Sequence, residues 1–129
     1  MNAANNILRK KIMKTTLKLE EFAMMGLSIY ALTMFHAPWW WYLLLALGPD
    51  ISMIAYLGGN RIGAITYNVF HHKGIAIVVF IAGLVFSNQL IQFTGIILFG
   101  HSSMDRLLGY GLKLFTGFKY THLGFIGKK

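Results

Sequence analysis

WWWYLLLALGPDISMIAYL, residues 39–57, decides how this chain is to be read. It is about as long as a helix must be to cross the hydrocarbon core of a bilayer, and only one of its residues is charged. It opens on Trp39, Trp40, Trp41 and Tyr42, amphipathic rings of the kind that anchor spans at a membrane surface. The charge is Asp50. A carboxylate near a bilayer centre costs at least about 2.5–3.5 kcal/mol on insertion scales, so such residues face a protein interior and mark a site. Pro49 removes a backbone donor just before it and predicts a kink there.

The pattern repeats on both sides. Apolar segments run over about 19–35, 39–57, 61–86 and 89–108, each near the 17–25 residues of a spanning helix. The connectors at 36–38, 58–60 and 87–88 are short and force antiparallel neighbours. The expectation is one all-α domain, an up-down-up-down four-helix transmembrane bundle over 19–124. A basic tail at 1–18 would precede it and a basic end at 125–129 would follow. Composition agrees: 56% of residues are hydrophobic and 12% charged, about half the charge fraction of a soluble domain. With no cysteine, disulfides, thiolate metal sites and cysteine nucleophiles are excluded.

Charge sets the orientation. Arg9, Lys10, Lys11, Lys14 and Lys18 precede the first span, Arg61 follows the second connector, and Arg106, Lys113, Lys119, Lys128 and Lys129 follow or close the fourth. The first and third connectors carry no Lys or Arg. By the positive-inside rule both termini are cytoplasmic, as in a bacterial inner-membrane protein. The same distribution speaks against nucleic acid despite the net charge of +8, because the cations flank apolar runs and form no continuous stripe. Anionic lipids at the cytoplasmic face are the expected partners of the basic tail. Glu20 and Glu21 open the first apolar run and no small-residue cleavage site follows it, so an uncleaved anchor is expected. The third segment is polar in its first half and apolar in its second. One long helix is expected there, with Gly74 as its hinge if it bends.

Polar residues gather in the cytoplasmic half of every segment. At 1.5 Å per residue, Asp50 lies about 10 Å from its cytoplasmic helix end, and Asn68 and His71 about 10 and 15 Å from theirs. His101 and Asp105 are four apart and Asn68 and His71 three apart, so each pair shares a helix face. With Glu20 from the first helix, the set Glu20, Asp50, His71, His101 and Asp105 resembles the ligand supply of a carboxylate–histidine metal site in a bundle core. A divalent Fe, Mn or Zn ion would suit it, and Asp50, His71, His101 and Asp105 are also the candidate acid–base groups. Two other readings stand beside this one. The polar residues could form a structural network, with Asp50 or Asp105 paired to Arg106, Lys73 or a histidine. They could also line a proton or ion pathway, in a carrier that would have to be a homo-oligomer, because four short helices enclose little volume. Which of His71 and His72 points inward is open at this point.

The stretch from 109 to 124 mixes glycines with Tyr110, Phe115, Phe118 and Tyr120. It reads as an interfacial flap over the cytoplasmic mouth, where Arg106, Tyr110, Lys113 and His122 would hold an anionic ligand or lipid.

Three stretches carry a resemblance: PDISMIAYLGG with RIGAITYNVFHHK, HSSMDRLLGYGLK, and FKYTHLG. Over about 19–124 the chain resembles a bacterial family of small integral-membrane proteins classed as a domain of unknown function. Its marks are PDxSMxxY, YNxxH and DRxxGYGLK followed by THLG. The resemblance implies a polar signature of Asp50, Ser52, Tyr56, Tyr67, Asn68, His71, His101, Asp105, Arg106, Tyr110, Lys113 and His122, with Glu20 also matching. It implies no activity.

Overall fold

Helix α5 (Gln89–Leu107) is the element against which most of the others are laid. The computed structural model describes residues 2–113, 120–121 and 123–125. Before α5 come α1 (Ala3–Met34), α2 (Trp40–Leu47), a 3-10 helix (Gly48–Gly58), α3 (Asn60–Phe70) and α4 (Lys73–Val85). A two-residue antiparallel ladder, Tyr120–Thr121 with Gly124–Phe125, follows. Helices α1, α2 and α4 pack on α5, while α3 folds back on the 3-10 helix. The apolar centre is Leu32, Trp41, Leu45, Phe93, Ile96 and Ile97, with the Trp41 and Phe93 rings edge to face at 5.1 Å.

Small residues let these helices touch. A Cβ on Gly95 would lie 2.5 Å from the Phe80 backbone nitrogen, and one on Gly83 2.5 Å from that of Gln92. Backbone against backbone is how helices associate where apolar burial alone does not drive them together. The turns are equally tight. After α1, α4 and α5 the chain steps through one residue of positive φ: His36 at 56°, Ser87 at 51° and Gly109 at 94°. In each case its own amide and the next return to the last helical turn, as with Ala37 N–H to Leu32 O at 2.9 Å and Tyr110 N–H to Asp105 O at 2.7 Å. This 6→1 closure satisfies carbonyls that a helix end leaves over.

One expectation is corrected. The segment at 61–86 is two helices bent by 52°, not one, and the break falls at His71–His72 rather than Gly74. The residues there build both ends: His71 caps α3 through its amide to Tyr67 O, and the His72 side chain caps α4 by accepting from Ile75 N–H. The segment at 39–57 tightens at Gly48–Pro49 from α into 3-10 geometry. The basic stretch at 1–18 is helical, since α1 is continuous from Ala3 and is N-capped by the Asn2 side chain.

Trp40–Gly58, 19 residues at mean hydropathy 1.3, is long and apolar enough to cross a membrane; α3 and α4 meet that standard only taken together. Helices α1 and α5 do not meet it by themselves, since α1 carries Lys18, Glu20 and Glu21 and α5 ends in His101, Asp105 and Arg106. The outside is nonetheless apolar along much of its length: Leu27 is 61% exposed, Leu43 55% and Val78 65%. The inside holds His71, His101, Ser102 and Ser103 with no exposure at all.

A buried histidine–carboxylate cluster as candidate metal centre

Four side chains from three parts of the fold converge. Asp50 comes from the first turn of the 3-10 helix, His71 from the break after α3, and His101 and Asp105 from successive turns of α5. One ligand atom from each lies within 4.8 Å of all the others. His71 Nε2 stands 3.4 Å from Asp50 Oδ1 and 3.1 Å from Asp105 Oδ2. His101 Nε2 stands 3.0 Å from Asp50 Oδ1 and 3.6 Å from Asp105 Oδ1.

The protons in this cluster can be traced. His71 Nδ1 is 2.8 Å from Tyr67 O, and His101 Nδ1 is 2.8 Å from Leu45 O. A carbonyl oxygen only accepts, so each Nδ1 carries the hydrogen. In the neutral rings both Nε2 atoms are then bare lone pairs, and what they face is carboxylate oxygen, which also only accepts. Four acceptors thus point at one another in a protein interior. That arrangement needs a positive charge in its midst, either protons on both imidazoles or one cation. A histidine whose second nitrogen donates to a backbone carbonyl is the usual support of a metal ligand. Asp105 has such support too, since Tyr67 Oη donates to its Oδ2 at 2.9 Å. The Tyr67 ring also stacks on His71 at 3.8 Å and fixes the plane of the imidazole.

The histidine–carboxylate spacings suit an ion, within a set whose ligand atoms all lie within 4.8 Å of one another. Donors bound at about 2.0–2.1 Å to a tetrahedral ion stand about 3.3 Å apart. The four histidine–carboxylate separations run from 3.0 to 3.6 Å. His71 Nε2 is buried with no hydrogen-bond partner, and so are the hydroxyls of Ser52 and Ser103, each two residues from a member of the cluster.

Neighbouring residues brace the centre. Asn68 grips the backbone of Lys113 from both sides, donating to its carbonyl at 2.9 Å and accepting from its N–H at 2.6 Å. That grip sets the Lys113 ammonium 4.8 Å from the Tyr67 ring centroid. Burial pushes the ammonium below its ordinary pKa, opposed by the charges of Asp105 and Asp50. Arg106 Nη2 donates to His71 O at 3.3 Å, closing the carbonyl at the helix break.

Of the residues named from sequence, Asp50, His71, His101 and Asp105 are brought together and Glu20 is not. Glu20 is exposed on α1, about 100° around the helix from Glu21, so the right depth put it on the wrong face. His71 is the inward histidine, and His72 is exposed. Lys73 pairs with Glu21 and with neither aspartate. Of the four residues assigned to an anionic ligand, three are described, and Arg106 donates to Tyr110 O at 3.2 Å. Lys113 is buried beside the cluster, Arg106 lies at the end of α5, Tyr110 is exposed, and His122 lies outside the described residues. The flap at 109–124 is described only in part; Lys113 forms a bridge with Thr121, and Thr121 belongs to the short ladder. Tyr67, part of the polar signature that the resemblance implies, orients Asp105 and His71. Its signal was the spacing to His71, four residues on the same face.

The model of the family described as Domain of unknown function (DUF4260) matches residues 14–126, and the chain belongs to that family. No curated protein and no solved structure matches it.

Proposed function

We propose that this DUF4260 protein is a membrane-embedded helical protein that holds a divalent metal between Asp50, His71, His101 and Asp105. The observation that carries the reading is the pair of Nδ1–H donations to Tyr67 O and Leu45 O. They turn both Nε2 lone pairs onto two carboxylates inside the fold. Two imidazoles and two carboxylates without a thiolate suit Zn, Fe(II) or Mn(II). A metal bound there would supply Lewis acidity and lower the pKa of bound water. Cobalt(II), titrated into chelator-treated protein, should give visible d–d bands that saturate at about one equivalent. Bands that rise without saturating contradict a single centre.

The apolar outside and polar inside support the membrane part. The spans would be the apolar half of α1, α2 with the 3-10 helix, α3 with α4 as one broken span, and α5. A broken helix is tolerated at membrane depth where protein satisfies its backbone, and Arg106 does this for His71 O. The basic residues would place the centre near the cytoplasmic face. The chain has no cysteine, so single cysteines report cleanly. At positions 37 and 88 they should react with an impermeant thiol reagent added to intact cells, and at position 60 they should not. External labelling at Asn60 reverses or removes this topology.

A further inference from the structure

We propose that a second site, distinct from the metal centre, binds a phosphate-bearing anion in the cavity between α1 and the C-terminal end of α5. The cavity has a volume of about 390 Å³, and Lys14, Lys18, Glu21, Arg106, Gly109 and Leu123 line it. Three cations thus face one carboxylate, and that carboxylate is already engaged, since Glu21 is paired with Lys73. The positive charge of Lys14, Lys18 and Arg106 is what remains for a ligand.

The geometry favours phosphate. Lys14 and Lys18 are one helical turn apart on α1 and present two ammonium groups side by side. Arg106 comes from the facing helix, and its guanidinium is held by Tyr110 O at 3.2 Å and His71 O at 3.3 Å. Of five guanidinium donors these use two. No ion pair among the described residues involves Arg106. A planar fork with donors to spare beside two point charges is the combination that recognises phosphoryl oxygens. The cavity volume falls within the range of small-molecule sites and exceeds what a bare ion needs, so a phosphate ester or a lipid headgroup fits. Because Arg106 also holds the carbonyl of His71, ligand at this site and the metal ligand at the helix break share one side chain.

The test uses the full chain in detergent, treated with chelator so that the outcome does not depend on the metal centre. Inorganic phosphate, dihexanoyl phosphatidylglycerol and the net-neutral dihexanoyl phosphatidylcholine are titrated separately by calorimetry. The phosphatidylglycerol should bind with at least about tenfold higher affinity than the phosphatidylcholine. Binding of inorganic phosphate as well makes the phosphate itself the determinant, and binding of phosphatidylglycerol alone makes it a lipid headgroup site. Lys14→Gln with Lys18→Gln, both on an exposed face, should weaken binding about tenfold or more, as should Arg106→Gln. Arg9→Gln, on the far side of α1, should leave it unchanged. Binding of neither anion overturns the proposal. So does a double lysine variant that binds like the parent, or an Arg9 variant that loses as much. Anion binding without any metal binding leaves this site standing and removes the metal centre; the converse result removes only this site.

Discussion

Asp105→Asn is expected to weaken metal binding by about 100-fold or more, and Tyr67→Phe by about 10–100-fold. Asp105 is the residue on which the cluster turns. Its two oxygens face His71 and His101 separately, and Tyr67 orients it through the 2.9 Å hydrogen bond. The asparagine keeps the shape and removes the charge, so the loss reads the ligand and not the packing. Tyr67→Phe keeps the ring stacked on His71 and removes only the hydroxyl. The grading between the two variants distinguishes a metal ligand from its support, and competition against a chelator of known affinity measures it. Asp50 belongs to the same unit. Asp50→Ala and Asp105→Ala should each cost about 1–3 kcal/mol of stability, because either leaves buried partners unpaired. The double variant should cost less than the sum, as contacting residues do. Strict additivity, or an Asp105→Asn variant with unchanged metal affinity, contradicts a shared centre.

Gly95→Leu is expected to destabilise the helical core by about 3 kcal/mol or more, at or beyond the upper end for overpacking. Its Cβ would meet the nitrogen, Cα and Cβ of Phe80 at 2.5–2.7 Å, and backbone cannot swing aside as a side-chain tip can. The consequence reaches the site, because α5 carries both His101 and Asp105, and pushing α4 away from it strains the helix break at His71. Gly26→Ala is the matched control. Nothing lies within 4 Å of a Cβ at Gly26, and alanine favours helix, so this variant should match or slightly exceed the parent in thermal unfolding in detergent. Equal melting temperatures for the two variants would remove the close α4–α5 contact.

Much of this was legible in the sequence. The helix at 89–107 and the shared face of His101 and Asp105 follow from apolar content and i,i+4 spacing. The gathering of Asp50, His71, His101 and Asp105 follows from depth, since ionisable groups in apolar segments at one height can satisfy each other only by meeting. Depth fixes height and not azimuth, however, and Glu20 shows the difference: Glu21, its neighbour, turns inward to Lys73 while Glu20 faces out. Glycine loosens a helix, so the sequence points to Gly74 for a break. It lies instead where two histidines supply the caps, a tertiary choice that the local sequence does not announce. The continuity of α1 through the basic tail was hidden for a similar reason, because charge there reads as solvation and equally suits an exposed helix. The place of Lys113 depends on Asn68, 45 residues earlier, and no local pattern carries that contact.

The central claim is that the four acceptors in the cluster surround a metal ion and not a pair of imidazolium protons. The most direct measurement is elemental analysis by inductively coupled plasma mass spectrometry. It is made on protein purified gently without chelator, beside a His71→Ala variant prepared in the same way. The account predicts about one equivalent of Zn, Fe or Mn per chain in the parent and a background level in the variant. Background metal in both preparations, with the parent still folded, would contradict it and leave the cluster as a protonated histidine–carboxylate network.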